Sequence, residues 1–140
     1  LTKEQVVNLY KTHFWDRFGV EAINSPAVAE HVFDIYLNGA GNAIKVFKPA
    51  FADLGLDWQG NNRNSWHELN KVSANAANMA IYRRRKAYFQ SLAAKFPQFV
   101  KGWLNRAEAF RPSGTDLMKY APVAIALLAG VALMAAIRSR

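Results

Sequence analysis

The acidic side chains come first, because paired carboxylates can act as general acid and base; one such chemistry is hydrolysis of a glycosidic bond, where a carboxylic acid stands beside the leaving oxygen with a second carboxylate or a held water. Glu21, Glu30, Asp34, Glu68 and Glu108 are the candidates. Glu30 and Asp34 stand four residues apart, on one face of a helix, a spacing that also fits an ordinary surface pair. His31 and Asp34 are three apart, but nothing has the His-Glu-x-x-His spacing of a zinc helix, so no metal site is expected. There is no nucleophile elbow and no glycine-rich phosphate cradle. With no cysteine, disulfides, thiolate zinc sites and a cysteine nucleophile are excluded. No cofactor is implied.

Two further features could bind rather than react. Arg83, Arg84, Arg85 and Lys86 form the densest basic run. On a helix, steps of about 100° fan these four around the circumference, so they cannot all meet one ligand. They read as a solvated helix with one or two arginine stems packed on aromatics, or as a footprint for an anionic polymer. Trp58 lies in the polar stretch 57–62. It can stack on a sugar ring, or anchor its loop onto the core.

Helices must position these groups. Thr2 and Gln5 form a capping box, followed by Val6, Val7, Tyr10, Phe14 and Trp15 at helical spacing and a stop at Gly19. Ser25-Pro26 opens a second helix that ends at Asn38-Gly39. A third is expected from Asn42 to Leu54, kinked or ended near Lys48 by Pro49. Residues 57–64 read as loop. Ser65 and Glu68 look like a capping box for a short helix to Val72. Ser73 caps a long helix over 74–95, Pro97 breaks the chain, and a last helix spans Phe99 to Phe110. No stretch alternates as a strand, so the domain over residues 1–111 is expected to be all-α.

The remainder differs. Residues 112–119 read as a linker and 120–137 are uncharged. Eighteen helical residues span roughly 27 Å, close to a bilayer's hydrocarbon core, so a transmembrane helix is expected there, with a basic tail at 138–140. Ala126 and Gly130 are spaced for self-association of that helix. Residues 1–119 hold sixteen basic and ten acidic side chains, a net of +6 that favours an anionic partner. Arg138 and Arg140 favour a cytoplasmic C-terminus, whereas Arg111 and Lys119 pull the other way.

Four segments, in order, resemble a known family. Phe96-Pro97-Gln98-Phe99-Val100-Lys101-Gly102-Trp103-Leu104-Asn105-Arg106 is similar to a Phe-Pro-x-Phe-x-x-Gly-Trp-Leu-Asn-Arg signature in phage-type N-acetylmuramidases of glycoside hydrolase family 108, in their C-terminal peptidoglycan-binding region. Arg84 to Phe89, Tyr10 to Trp15 and Val32 to Gly39 resemble that family's Arg-rich helix, its Tyr-x-x-x-Tyr-Trp segment and its Phe-Asp-x-x-x-Asn-x-Gly helix end. The resemblance implies a lysozyme-like fold and cleavage of the β-1,4 bond of murein. The family's catalytic Glu-Gly-Gly is absent from this chain, so the catalytic residue is left unassigned and expected to precede Leu1. Residues 57–65 depart from the family's Asp-Gly-x-x-Gly-Pro-x-Thr loop.

The implied substrate-binding residues are Asn38, whose amide can donate to and accept from an acetamido group, and Asp34, with Trp58 added from its loop. The expected partners are peptidoglycan glycan strands and a membrane, with no nucleic acid. The chain then reads as part of a membrane-anchored muramidase or endolysin, at a bacterial inner membrane or a phage-associated one, its domain facing the periplasm and wall. The alternative is a non-catalytic wall-binding module.

Overall fold

The computed structural model describes residues 1–112, and among these every regular element is helical. Five of the six α-helices lie close to their expected places: α1 (Lys3–Tyr10), α2 (Pro26–Gly39), α3 (Ile44–Asp53), α5 (Ala74–Ser91) and α6 (Pro97–Glu108). Their starts follow from local chemistry. The Gln5 amide N–H donates to Thr2 Oγ1 at 3.1 Å and Gln5 Oε1 accepts from the Thr2 N–H at 2.8 Å, closing the capping box. Ser73 Oγ accepts from the Ala76 N–H, and Pro97 takes the first helical position of α6.

Three local expectations need correction. The first helix widens into a π-helical turn over Lys11–Asp16 before Gly19 turns the chain at φ 68°. Pro49 does not end α3 at Lys48. The helix runs through it to Asp53, held on both sides of the proline by buried Val46, Phe47, Ala50 and Phe51. The short helix α4 (Arg63–Leu69) starts at Asn62, whose side chain accepts from the Asn64 N–H, and not at Ser65. Ser65 is fully buried instead, accepting from the Gln59 N–H at 2.9 Å and donating to the Gly60 carbonyl at 2.6 Å.

The expected transmembrane helix is also corrected. No helix among the described residues is long and apolar enough to cross a membrane, and the all-helical fold stands without one. The expected span at 120–137, and all but the first residue of the expected linker at 112–119, lie outside the described residues.

Helix α2 is the axis of the fold. All six residues from His31 to Tyr36 are buried, which means the helix is covered on every side. On one flank sits an aromatic cluster of Tyr36, Phe47, Phe51 and Trp66, with the Trp66 Nε1–H donating to the Phe18 carbonyl. Asn70 ties α4 to the connection before α2, accepting from the Asn24 N–H and donating to the Ala22 carbonyl. On the other flank α5 packs along α3 and against α6.

Candidate functional site

A helix as enclosed as α2 carries a carboxylate only if something neutralises it, since an unpaired buried charge costs several kcal/mol. Asp34 is such a residue. Its Oδ2 accepts from Arg85 Nη2 at 2.6 Å, and its Oδ1 accepts from Arg106 Nε at 2.8 Å and from Arg106 Nη2. The Arg85 side chain is 2% exposed and that of Arg106 34%. Arg85 also lies over the rings of Phe89 and Phe110, at 5.6 and 5.8 Å from their centroids. Burial pulls its pKa below the usual value, and the Asp34 charge opposes that.

One turn further along α2, Asn38 Nδ2 donates to the Asp34 carbonyl at 2.8 Å and reaches Oδ1 at 3.3 Å. The Asn38 side chain is exposed at the mouth of a cleft of about 290 Å³. Ile35, Asn38 and Gly39 of α2 form one wall, continued by Asn42, Ala43 and Val46. Arg85, Tyr88 and Phe89 of α5 form the second, and Phe96, Trp103 and Arg106 the third. Trp103 stacks with two rings, its centroid 5.5 Å from that of Phe89 and 5.7 Å from that of Phe99, and Phe99 is half exposed. The cleft therefore combines primary amides, guanidinium groups and flat apolar faces. That set suits a polar ring compound with hydrogen-bonding substituents. No Asp or Glu among the described residues lines it.

The sequence-based candidates separate in space. Asn38 lines the cleft, and Asp34 sits directly behind it with both oxygens bonded to arginine. Trp58 lies on the other flank, against Phe51, Trp66 and Phe47 at 5.0, 5.9 and 6.2 Å, and does not line the cleft.

Three of the other candidate carboxylates are engaged elsewhere. Glu21 pairs with Arg63. Glu68 pairs with Lys71 and accepts from the Asp57 N–H. Glu108 accepts from the Tyr82 hydroxyl at 2.5 Å and from Arg111. Burial tends to raise the Glu108 pKa, but these two partners hold it below the usual value.

His31 is packed inside the core. Its ring stacks on Phe110 at 4.6 Å, its Nδ1 donates to Asn78 Oδ1 at 3.0 Å, and its Nε2 is buried without a partner. Burial, then the Arg85 charge, lower its pKa to about 3, so it is neutral. No group of three or more His, Asp or Glu among the described residues could hold a metal ion.

Three segments far apart in the chain thus converge on one cleft: the end of α2, the basic run of α5 and the Phe-Pro to Asn-Arg block of α6. The Tyr10–Trp15 segment lies behind them, with Tyr10 and Trp15 edge-on to Phe33. The arginine partners of Asp34 and the amide of Asn42 were not anticipated. For Arg85 the signal was present, because one member of a four-residue basic run on a packed helix must face inward.

Residues 1–39 match the family model for glycosyl hydrolase 108. The matched stretch ends at Gly39, on the lip of the cleft, and includes Asp34 and Asn38. No curated protein and no solved structure matches the chain.

Proposed function

We propose that this chain is the glycan-gripping part of a muramidase-type peptidoglycan hydrolase, acting at the bacterial cell wall. The observation that carries this reading is the end of α2. A stretch matching a glycosyl hydrolase family stops at an exposed amide on the rim of an aromatic cleft. Asn38 and Asn42 would bond acetamido groups, and the aromatic rings that line the cleft, Phe89 and Trp103, would meet the apolar face of a sugar ring. Asp34 acts as a positioning residue: by accepting from both arginines it fixes two walls of the cleft against α2. The resemblance of residues 84–106 to a peptidoglycan-binding region supports the same reading.

Hydrolysis is not assigned to any carboxylate of this chain. The acid-free lining of the cleft favours a second reading, binding without cleavage. Both are tested with dye-labelled, purified sacculi. The protein is expected to sediment with them. Failure of the folded chain to bind would contradict both readings. Dye release would place an acid within reach of the strand and favour the first, whereas binding without release would favour the second.

A further inference from the structure

The charge behind the cleft is unbalanced. Two guanidinium groups share the one carboxylate of Asp34, which leaves a single positive charge in excess. His31 is stacked beside Phe110 and neutral, so it adds none. Lys45 adds a further cation beside the cleft lining, its Nζ 5.8 Å from the Tyr88 ring centroid. Arg85 is almost wholly buried, yet its Nη1 has no partner. Arg106 engages Asp34 through Nε and Nη2, and its Nη1 has no hydrogen-bond partner among the described residues. A positive charge in a largely apolar recess is poorly screened. At about 290 Å³, the recess is the size of a single sugar with its substituent rather than a length of strand.

We propose that the cleft selects a carboxylate-bearing unit of the murein polymer over a neutral sugar, with Arg106 as the residue that meets the carboxylate and Arg85 as the buried charge supporting it. This rests on the peptidoglycan reading above and adds the feature that sets specificity. A guanidinium offers two parallel N–H donors to a carboxylate, and such charge-assisted pairs are about twice as strong as neutral hydrogen bonds. The carboxylate can belong to the lactyl ether of N-acetylmuramic acid or to the stem peptide.

Calorimetry with the full chain separates the outcomes. Four probes are used at low salt: a peptide-free N-acetylglucosamine–N-acetylmuramic acid tetrasaccharide, its carboxyl methyl ester, chitotetraose and a free stem peptide. At least one carboxylate-bearing probe is expected to bind tenfold or more tightly than chitotetraose. The tetrasaccharide identifies the lactyl source and the peptide the stem source. Esterification should abolish a lactyl preference without any change to the protein. R106Q should remove the preference for either source and R106K should keep part of it. Equal binding of chitotetraose, the tetrasaccharide and its ester, with the peptide inert, would overturn this inference and leave the peptidoglycan reading intact. Loss of binding to every probe and to sacculi would overturn both. Tighter, Arg106-dependent binding of a single-stranded oligonucleotide would also overturn the inference.

Discussion

Asp34 Oδ2 lies 2.6 Å from Arg85 Nη2, in a contact between residues 51 positions apart in which neither side chain is more than 9% exposed. The same carboxylate takes Arg106 from a third helix. One acidic side chain therefore joins α2, α5 and α6 and shapes the cleft between them.

Replacing Asp34 by Asn would strand the Arg85 guanidinium in the core. Breaking a buried pair in this way typically costs about 3–5 kcal/mol. Urea denaturation of D34N is expected to show a loss of that order. A D34N/R85M double variant, in which the stranded charge is gone, should recover most of it. A D34N variant as stable as the native chain would show that the ion pair does not hold the helices.

Acid should unfold the protein partly through His31. The folded pKa is about 3, against an ordinary value of 6.5. Between these values the unfolded chain holds one more proton at this site than the folded chain does. The stability is fully present above pH 6.5 and is lost as the pH falls toward 3, by up to about 1.4 kcal/mol per pH unit. Between pH 6.5 and 5, above the main carboxylate range, the native chain should lose stability more steeply than H31Q. Parallel curves would mean that His31 takes up its proton without unfolding.

Gly19 turns the chain at φ 68°, and a Cβ built there would lie 2.9 Å from the Arg63 backbone. Both the left-handed conformation and the contact oppose a side chain. G19A is expected to lose more than ~1 kcal/mol in the same denaturation assay. An unchanged midpoint would contradict the close approach of this turn to α4.

Trp58 offers a contrast between stability and binding. Packed on Phe47, Phe51 and Trp66, it should cost roughly 2–4 kcal/mol when cut back to Ala. Retention on sacculi should persist at temperatures where W58A is folded. N38A should do the reverse, with a small stability change and weakened retention. Loss of retention in folded W58A would move the sugar-binding surface to the opposite flank.

Much of the helical layout was legible because its signals are local. The Thr2 box and the Ser73 cap each act within four residues of the helix start they define, whereas Pro97, expected to break the chain ahead of a helix at Phe99, itself opens α6. Asn62 outcompeted Ser65 as a cap because the Ser65 hydroxyl is used in burying the preceding loop, a tertiary demand that no short window displays. The π-turn at Lys11–Asp16 left no mark in the apolar spacing. At the site, Asn38 was legible as an amide at a helix end. The arginine partners of Asp34 were not, since they lie 51 and 72 residues away. Trp58 had two readings in the sequence, and only the packing of its ring places it on the core.

The most direct measurement is a ¹⁵N NMR titration of the chain with soluble murein glycan fragments. The account predicts shifts concentrated at Asn38, Gly39, Asn42, Tyr88, Trp103 and Arg106, with the Trp58 indole signal unmoved. Shifts clustered on the Trp58 flank, or no shifts at saturating fragment from a folded protein, would contradict it.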